Sequence, residues 1–106
     1  MLNDISVIIP TYNHGKSIDR TLLSVMKNSK NVKEVIVIDD GSTDDTRQIL
    51  IPWLDRVTYV HQNNKGANFA RNAGLSLAKG EFVIVLDADV ELFDGSLDAM
   101  RDKLIN

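Results

Sequence analysis

Four short β-rich runs recur along the 106-residue chain, and between them the apolar spacing becomes helical. The runs are "ISVIIP" (5–10), "EVIVID" (34–39), "RVTYVH" (56–61) and "EFVIVLD" (81–87). Consecutive apolar residues such as Val35 to Ile38 suit a strand buried on both faces, the mark of a parallel sheet covered on both sides. Between the runs, Ile18, Leu22, Val25 and Met26 fall at i, i+4, i+7 and i+8, one face of a helix. Thr46, Ile49 and Leu50 form a second stripe, which Pro52 stops. Ser42 followed three residues later by Asp45 reads as a capping-box-like start for that helix. Ala67 to Leu77 is a third helix, where Ala67, Ala70, Ala73 and Gly74 permit close packing, and Leu97, Met100 and Leu104 mark a fourth. The alternation predicts an α/β, Rossmann-like fold: an open, mainly parallel sheet with helices on both faces. Regular crossovers put its strands in the order 3-2-1-4, with a switch point beside the first strand. No repeat, linker or low-complexity tract interrupts it, so residues 1–106 read as one domain.

Composition narrows the function classes. A formal net charge of −3 argues against nucleic acid as a main partner, since neutralising phosphates needs a basic surface. Without cysteine there is no disulfide, no thiolate metal site and no cysteine nucleophile. That composition fits a reducing, cytoplasmic setting. The opening "MLNDISVIIP" has no basic n-region, so no signal peptide is expected. No stretch approaches the roughly 20 apolar residues of a membrane span. Work at the inner face of a membrane through other parts of a longer enzyme stays open.

In an open parallel sheet, ligands bind beyond the carboxyl ends of the strands. Here "PTYN", "DDGS" and "DADVE" follow the first, second and fourth runs. They bring Asp39, Asp40, Asp87 and Asp89 to one edge. Asp87 and Asp89, two apart, would point the same way if the strand ran through them. Two carboxylates side by side repel, and a hard divalent cation such as Mg²⁺ or Mn²⁺ would resolve that repulsion. Such ions complete their shell with water and substrate phosphates, so the pattern suggests a phosphorylated ligand. Arg71, on the small-residue helix, offers a bidentate fork to phosphate. Tyr12 could stack on a planar base. Each residue also has a plainer reading: Asp39 and Asp40 as turn or cap residues, Arg71 in a surface ion pair, Tyr12 packed beside the first helix. His14 and His61 belong to no motif and read as solvated or capping residues.

Together, "SVIIPTYN" (6–13), "EVIVIDDGSTDDT" (34–46) and "NKGANFARNAGLSLAKGEFVIVLDAD" (64–89) resemble the inverting family 2 glycosyltransferases, whose nucleotide-sugar-binding fold is called GT-A. The stretches keep the family's order and cover nearly the whole chain. The resemblance implies a nucleoside-diphosphate-sugar donor, most often a uridine nucleotide, used with Mg²⁺ or Mn²⁺, as in polysaccharide biosynthesis. It implies that Pro10, Thr11 and Tyr12 contact the nucleoside, and that Asp40 accepts from the base with Asp39 supporting the pocket. Arg71 would approach base or diphosphate, Asp87 the ribose, and Asp89, in a DXD-type motif, the metal. Val90 departs from the pattern, standing where many relatives carry a further acid. Family members are substantially longer, so the resemblance also implies a donor-binding half, with acceptor site and catalytic base beyond Asn106. The acceptor stays open among saccharide, lipid-linked and protein.

Two other readings compete. "VIVIDDGS" resembles a receiver-domain pocket and "DADVE" the start of a haloacid-dehalogenase-type phosphatase, but in both classes the acidic motif follows the first strand. A non-catalytic nucleotide-binding module is the other: Glu91, Asp94 and Asp98 are acids without a base's surroundings. Finally, the fourth strand carries Phe82, Ile84 and Leu86 on one face and Val83 and Val85 on the other. One terminal helix can cover only one of these faces, so self-association is expected.

Overall fold

A computed structural model describes residues 4–105. Four strands and four helices alternate: β1 (Ile5–Thr11), α1 (Ile18–Lys27), β2 (Val32–Asp39), α2 (Thr46–Leu50), β3 (Thr58–His61), α3 (Ala67–Leu77), β4 (Phe82–Val85) and α4 (Ser96–Ile105). They form one sheet in the order β3-β2-β1-β4, and every pair is parallel. The α/β fold and the strand order are those the apolar runs predict. Register sets Thr11 beside Asp39, Asp39 beside His61, and Val7 between Val35 and Ile84.

The two faces are covered unequally. Val7, Ile9, Val37 and Ile84 share a buried core with Ile18, Leu22 and Val25 of α1, Leu50 of α2 and Leu97 of α4. Each fully buried side chain of this size contributes on the order of 1.5–3 kcal/mol by transfer from water. On the other face, Ile36 and Ile38 pack against Ala70 of α3. The small residues let α3 lie close: a Cβ on Gly74 would stand 2.3 Å from Cγ2 of Ile8, whose side chain is fully buried. Only glycine fits there.

Four local expectations are corrected. β1 does not end with the apolar run 5–10 at Pro10 but continues to Thr11. Ile8 O accepts from Leu86 N on the β4 side and Thr11 O from Asp40 N on the β2 side. Alternation therefore turns the missing N–H of Pro10 toward β4, whose pairing has already ended at Val85. The capping box of Ser42 and Asp45 does not form, because α2 begins only at Thr46. Ser42 is otherwise engaged, accepting from Asn13 N and donating its own N–H to Asp39 Oδ1. In α4 only Leu97 of the expected stripe is buried, while Met100 and Leu104 are exposed. Arg101, i+4 from Leu97, takes the inward place and meets Asp4 through Nε and Nη2 at 2.8–3.0 Å. Last, β4 ends at Val85, so Asp87 and Asp89 lie past the strand rather than in it.

Candidate functional site

All four strands are parallel, so their carboxyl ends share one edge, and the expected site residues all lie at that edge or on α3 beside it. Asp39 ends β2 and Asp40 follows it on one side of β1, and Asp87 and Asp89 follow β4 on the other. The carboxylates thus flank the end of β1, where Thr11 is buried and Tyr12 is 43% exposed. The Thr11 hydroxyl is buried without a hydrogen-bond partner among the described residues.

The loops here are built by side chains capping backbone. Asn13 adopts a left-handed conformation (φ 55°), which asparagine tolerates better than most residues. Its N–H reaches Ser42 Oγ at 2.9 Å, and its Oδ1 accepts from Thr43 N at 2.7 Å and Asp44 N at 3.1 Å. Asp44 in turn accepts from Gly15 N, Thr46 N and the Thr46 hydroxyl. Burial would raise its carboxyl, but these donors outweigh burial and hold it below the usual carboxylate range. The loops close tightly here: a Cβ on Gly15 would lie 3.1 Å from Asp44 Oδ2 and 2.2 Å from Asp45 Oδ1, and the exposed Asp45 side chain would have to move aside. Asn13 and Asp44 therefore clamp the loop after β1 to the loop after β2. Sequence reasoning gave neither a part in joining these loops; Asp44 read only as an acid suited to the positive end of the second helix. The signal available was an asparagine at the end of a strand facing a loop rich in aspartate and threonine.

Asp39 is buried and accepts from Ser42 N and, at 2.7 Å, from the Tyr59 hydroxyl. Burial and the Asp39 carboxylate together push the Tyr59 phenol well up, so it stays a donor. Asp40 is buried too, and its carboxylate accepts from Gln62 Nε2, Lys65 N and Gly66 N at 2.7–3.0 Å. Its own burial would raise the carboxyl, but the three donors prevail and hold it low. Arg71 is half-buried on α3, its guanidinium donating to Asn68 Oδ1.

The DAD segment is a turn, closed by Val90 N on Asp87 O at 3.1 Å. Ala88 is its anchor: the methyl is buried, and the carbonyl accepts from Ser17 Oγ at 2.9 Å and Thr21 Oγ1 at 3.0 Å. With Ala88 turned in, Asp87 and Asp89 are both exposed. Water therefore meets both charges. Among the described residues, no group of three or more acids or histidines gathers as a metal site. Two exposed carboxylates with oxygen donors only still fit a hard cation that completes its shell with water and phosphate. A cavity of about 320 Å³ lies away from these residues, between Leu23 and Lys27 of α1 and Leu92 to Asp94. No described helix is long and apolar enough to cross a membrane.

An open parallel sheet whose order reverses beside β1, with acids and capped loops at its carboxyl edge, is the architecture of a nucleotide-binding α/β protein. The chain belongs to glycosyl transferase family 2, whose model matches residues 6–106. It is 40% identical over 104 residues to the glycosyltransferase GlyG of Streptococcus pneumoniae, covering 94% of this chain and 35% of that protein. Among solved structures it superposes on S. aureus TarS 1-349 in complex with UDP-GlcNAc, with TM-score 0.80 and 33% identity over 96% of this chain and 31% of that one. The mannosyltransferase PcManGT from Pyrobaculum calidifontis, in complex with GDP-Man and Mn²⁺, superposes with TM-score 0.89 and 28% identity, over 97% and 32% of the two chains. The chain thus spans about a third of the length of the relatives it matches.

Proposed function

We propose that this chain binds a nucleoside-diphosphate sugar, a UDP-sugar first among them, and supplies the donor and metal half of an inverting glycosyltransferase. The observation that carries the reading is the pairing of a buried, donor-locked Asp40 on one side of β1 with the exposed Asp87 and Asp89 on the other. That arrangement suits a ligand with a base at one end and a charged diphosphate at the other. The two solved relatives described above hold a UDP-sugar and a GDP-sugar with Mn²⁺, which supports the class of ligand.

In this reading Tyr12 stacks on the base, Asp40 accepts from it, and Pro10, Thr11 and Asp39 shape its pocket. Asp87 holds the ribose, Asp89 holds Mg²⁺ or Mn²⁺, and Arg71 approaches the base or diphosphate. A cation held by Asp89 would supply positive charge to offset the negative charge developing on the diphosphate. Inversion needs an acceptor hydroxyl to attack the anomeric carbon from the face opposite the departing diphosphate, with its proton passing to a base. No residue of this chain is assigned that role: Glu91 and Asp94 are exposed, and Asp98 Oδ1 accepts from Asn31 Nδ2. By itself the chain is then a donor-binding module, and the acceptor, saccharide or otherwise, is read by other parts.

The test is a thermal-shift panel of nucleotide sugars with and without Mn²⁺. A donor present at ~100 times its Kd stabilises the fold by about 2.7 kcal/mol. A rise with a UDP-sugar that is larger with Mn²⁺ than without it is the expected result. A flat panel rejects the reading.

A further inference from the structure

The three groups that hold the Asp40 carboxylate all come from the loop between β3 and α3. Gln62 Nε2 and Lys65 N donate to Oδ1 at 2.8 and 2.7 Å, and Gly66 N donates to Oδ2 at 3.0 Å. Gln62 is itself fixed, its N–H donating to Asp39 O at 2.9 Å. The loop is pressed against the end of β2: at Gly41 (φ 76°) an added Cβ would stand 2.9 Å from Asn64 N. An ionised carboxylate offers about four lone-pair positions, two on each oxygen. Oδ1 has both positions filled and Oδ2 has one, so one acceptor position is left, on Oδ2. The donors that set this geometry also keep the group ionised, and an ionised carboxylate cannot donate.

We propose that Gln62 is a positioning residue for the donor's base: through Asp40 it presents a single acceptor position that selects bases with a ring N–H over bases with a bare ring nitrogen. The inference rests on the nucleoside-diphosphate reading above and deepens it. Uracil, thymine and guanine carry that N–H beside a carbonyl. Cytosine and adenine carry a lone pair there, which faces the lone pair of Oδ2. Their amino groups lie one atom further round the ring, and a carboxylate held by three donors does not turn to follow. Gln62 is the one side chain among the three donors, so it is the one that substitution can remove without altering the backbone.

Calorimetry on the 106-residue chain with Mn²⁺ and UDP, GDP, CDP or ADP tests this. UDP or GDP is expected to bind roughly tenfold or more tightly than CDP and ADP, the scale of a hydrogen bond to a charged group. Gln62→Met keeps the length and removes the donor. It is expected to weaken UDP by about tenfold and to leave CDP within about twofold, narrowing the ratio between them. A melt of the variant establishes that it is folded, and the wild-type panel stands even if it is not. Equal affinities for all four nucleotides in the wild type overturn base selection. An equal loss for all four in Gln62→Met marks a scaffold residue and overturns the positioning role. No binding of any nucleotide overturns the donor reading itself, and this inference with it.

Discussion

At the scale of single residues, the acids at the carboxyl edge divide into two kinds. Asp39 and Asp40 are buried and held by neutral donors, whereas Asp87 and Asp89 stand in water. Substitution should separate them. Asp89→Ala removes one of two neighbouring negative charges and no described core contact, so the fold should hold while Mn²⁺-dependent affinity for UDP falls. Asp40→Ala should weaken UDP with or without metal, and it leaves the amides of Lys65 and Gly66 without their acceptor, at about 1–3 kcal/mol per stranded group. Calorimetry and melting of the two variants check both; a UDP affinity in Asp89→Ala that still rises with Mn²⁺ as in the wild type rejects the metal assignment. The location of these acids was legible because strand ends are legible. The contacts that set their loops were not: Gln62 on Asp40, Asn13 on Thr43 N, and the Ser17 and Thr21 hydroxyls on Ala88 O act across 22 to 71 positions of sequence, and no local pattern marks them.

At the scale of elements, the interior strands and the small-residue helix were readable because burial on both faces leaves few residue choices. Boundaries failed where a polar residue had another partner to serve, as Ser42 did, or where a cation took an apolar place, as Arg101 did in α4. That exchange has a pH consequence. Hydrogen bonds from Arg101, opposed by burial and helped by its charge, hold the Asp4 carboxyl below its ordinary value. The guanidinium is shifted upward by the same contact and stays charged throughout. A carboxyl with a depressed folded pKa stabilises the fold fully above its unfolded pKa, and the contribution is lost as pH falls through the folded value. Asp4→Asn should therefore melt lower than the wild type at neutral pH. The two melting curves should converge in acid below the usual carboxylate range, because protonated Asp4 then resembles asparagine beside the same cation. Melting temperatures measured across that range decide it, and a gap that stays constant into strong acid rejects the latch.

At the scale of the whole molecule, the strand order followed from sequence because handed crossovers leave few arrangements of four parallel strands. How completely each strand is covered was harder to read, since it depends on where helices lie rather than on period. α3 packs on β1 and β2. Val85, in register with Ile8 on that same face, is left 38% exposed, with Val83 half-buried above it. β4 pairs only with β1 in the described sheet, so its outer edge presents free backbone donors and acceptors next to that apolar strip. α3 adds Phe69, Leu75 and Leu77 to the exposed apolar surface. Edge strands in monomers are commonly blunted by charge, and within Phe82–Val85 there is none. The chain on its own is therefore expected to self-associate through β4 as its concentration rises. Val85→Lys places a charge on the strip at a position outside the buried core and should shift the equilibrium toward monomer while leaving the melt nearly unchanged. Light scattering over a concentration series measures the association and a thermal melt the stability, and a wild-type chain that stays monomeric at the highest concentration removes β4 as an assembly edge.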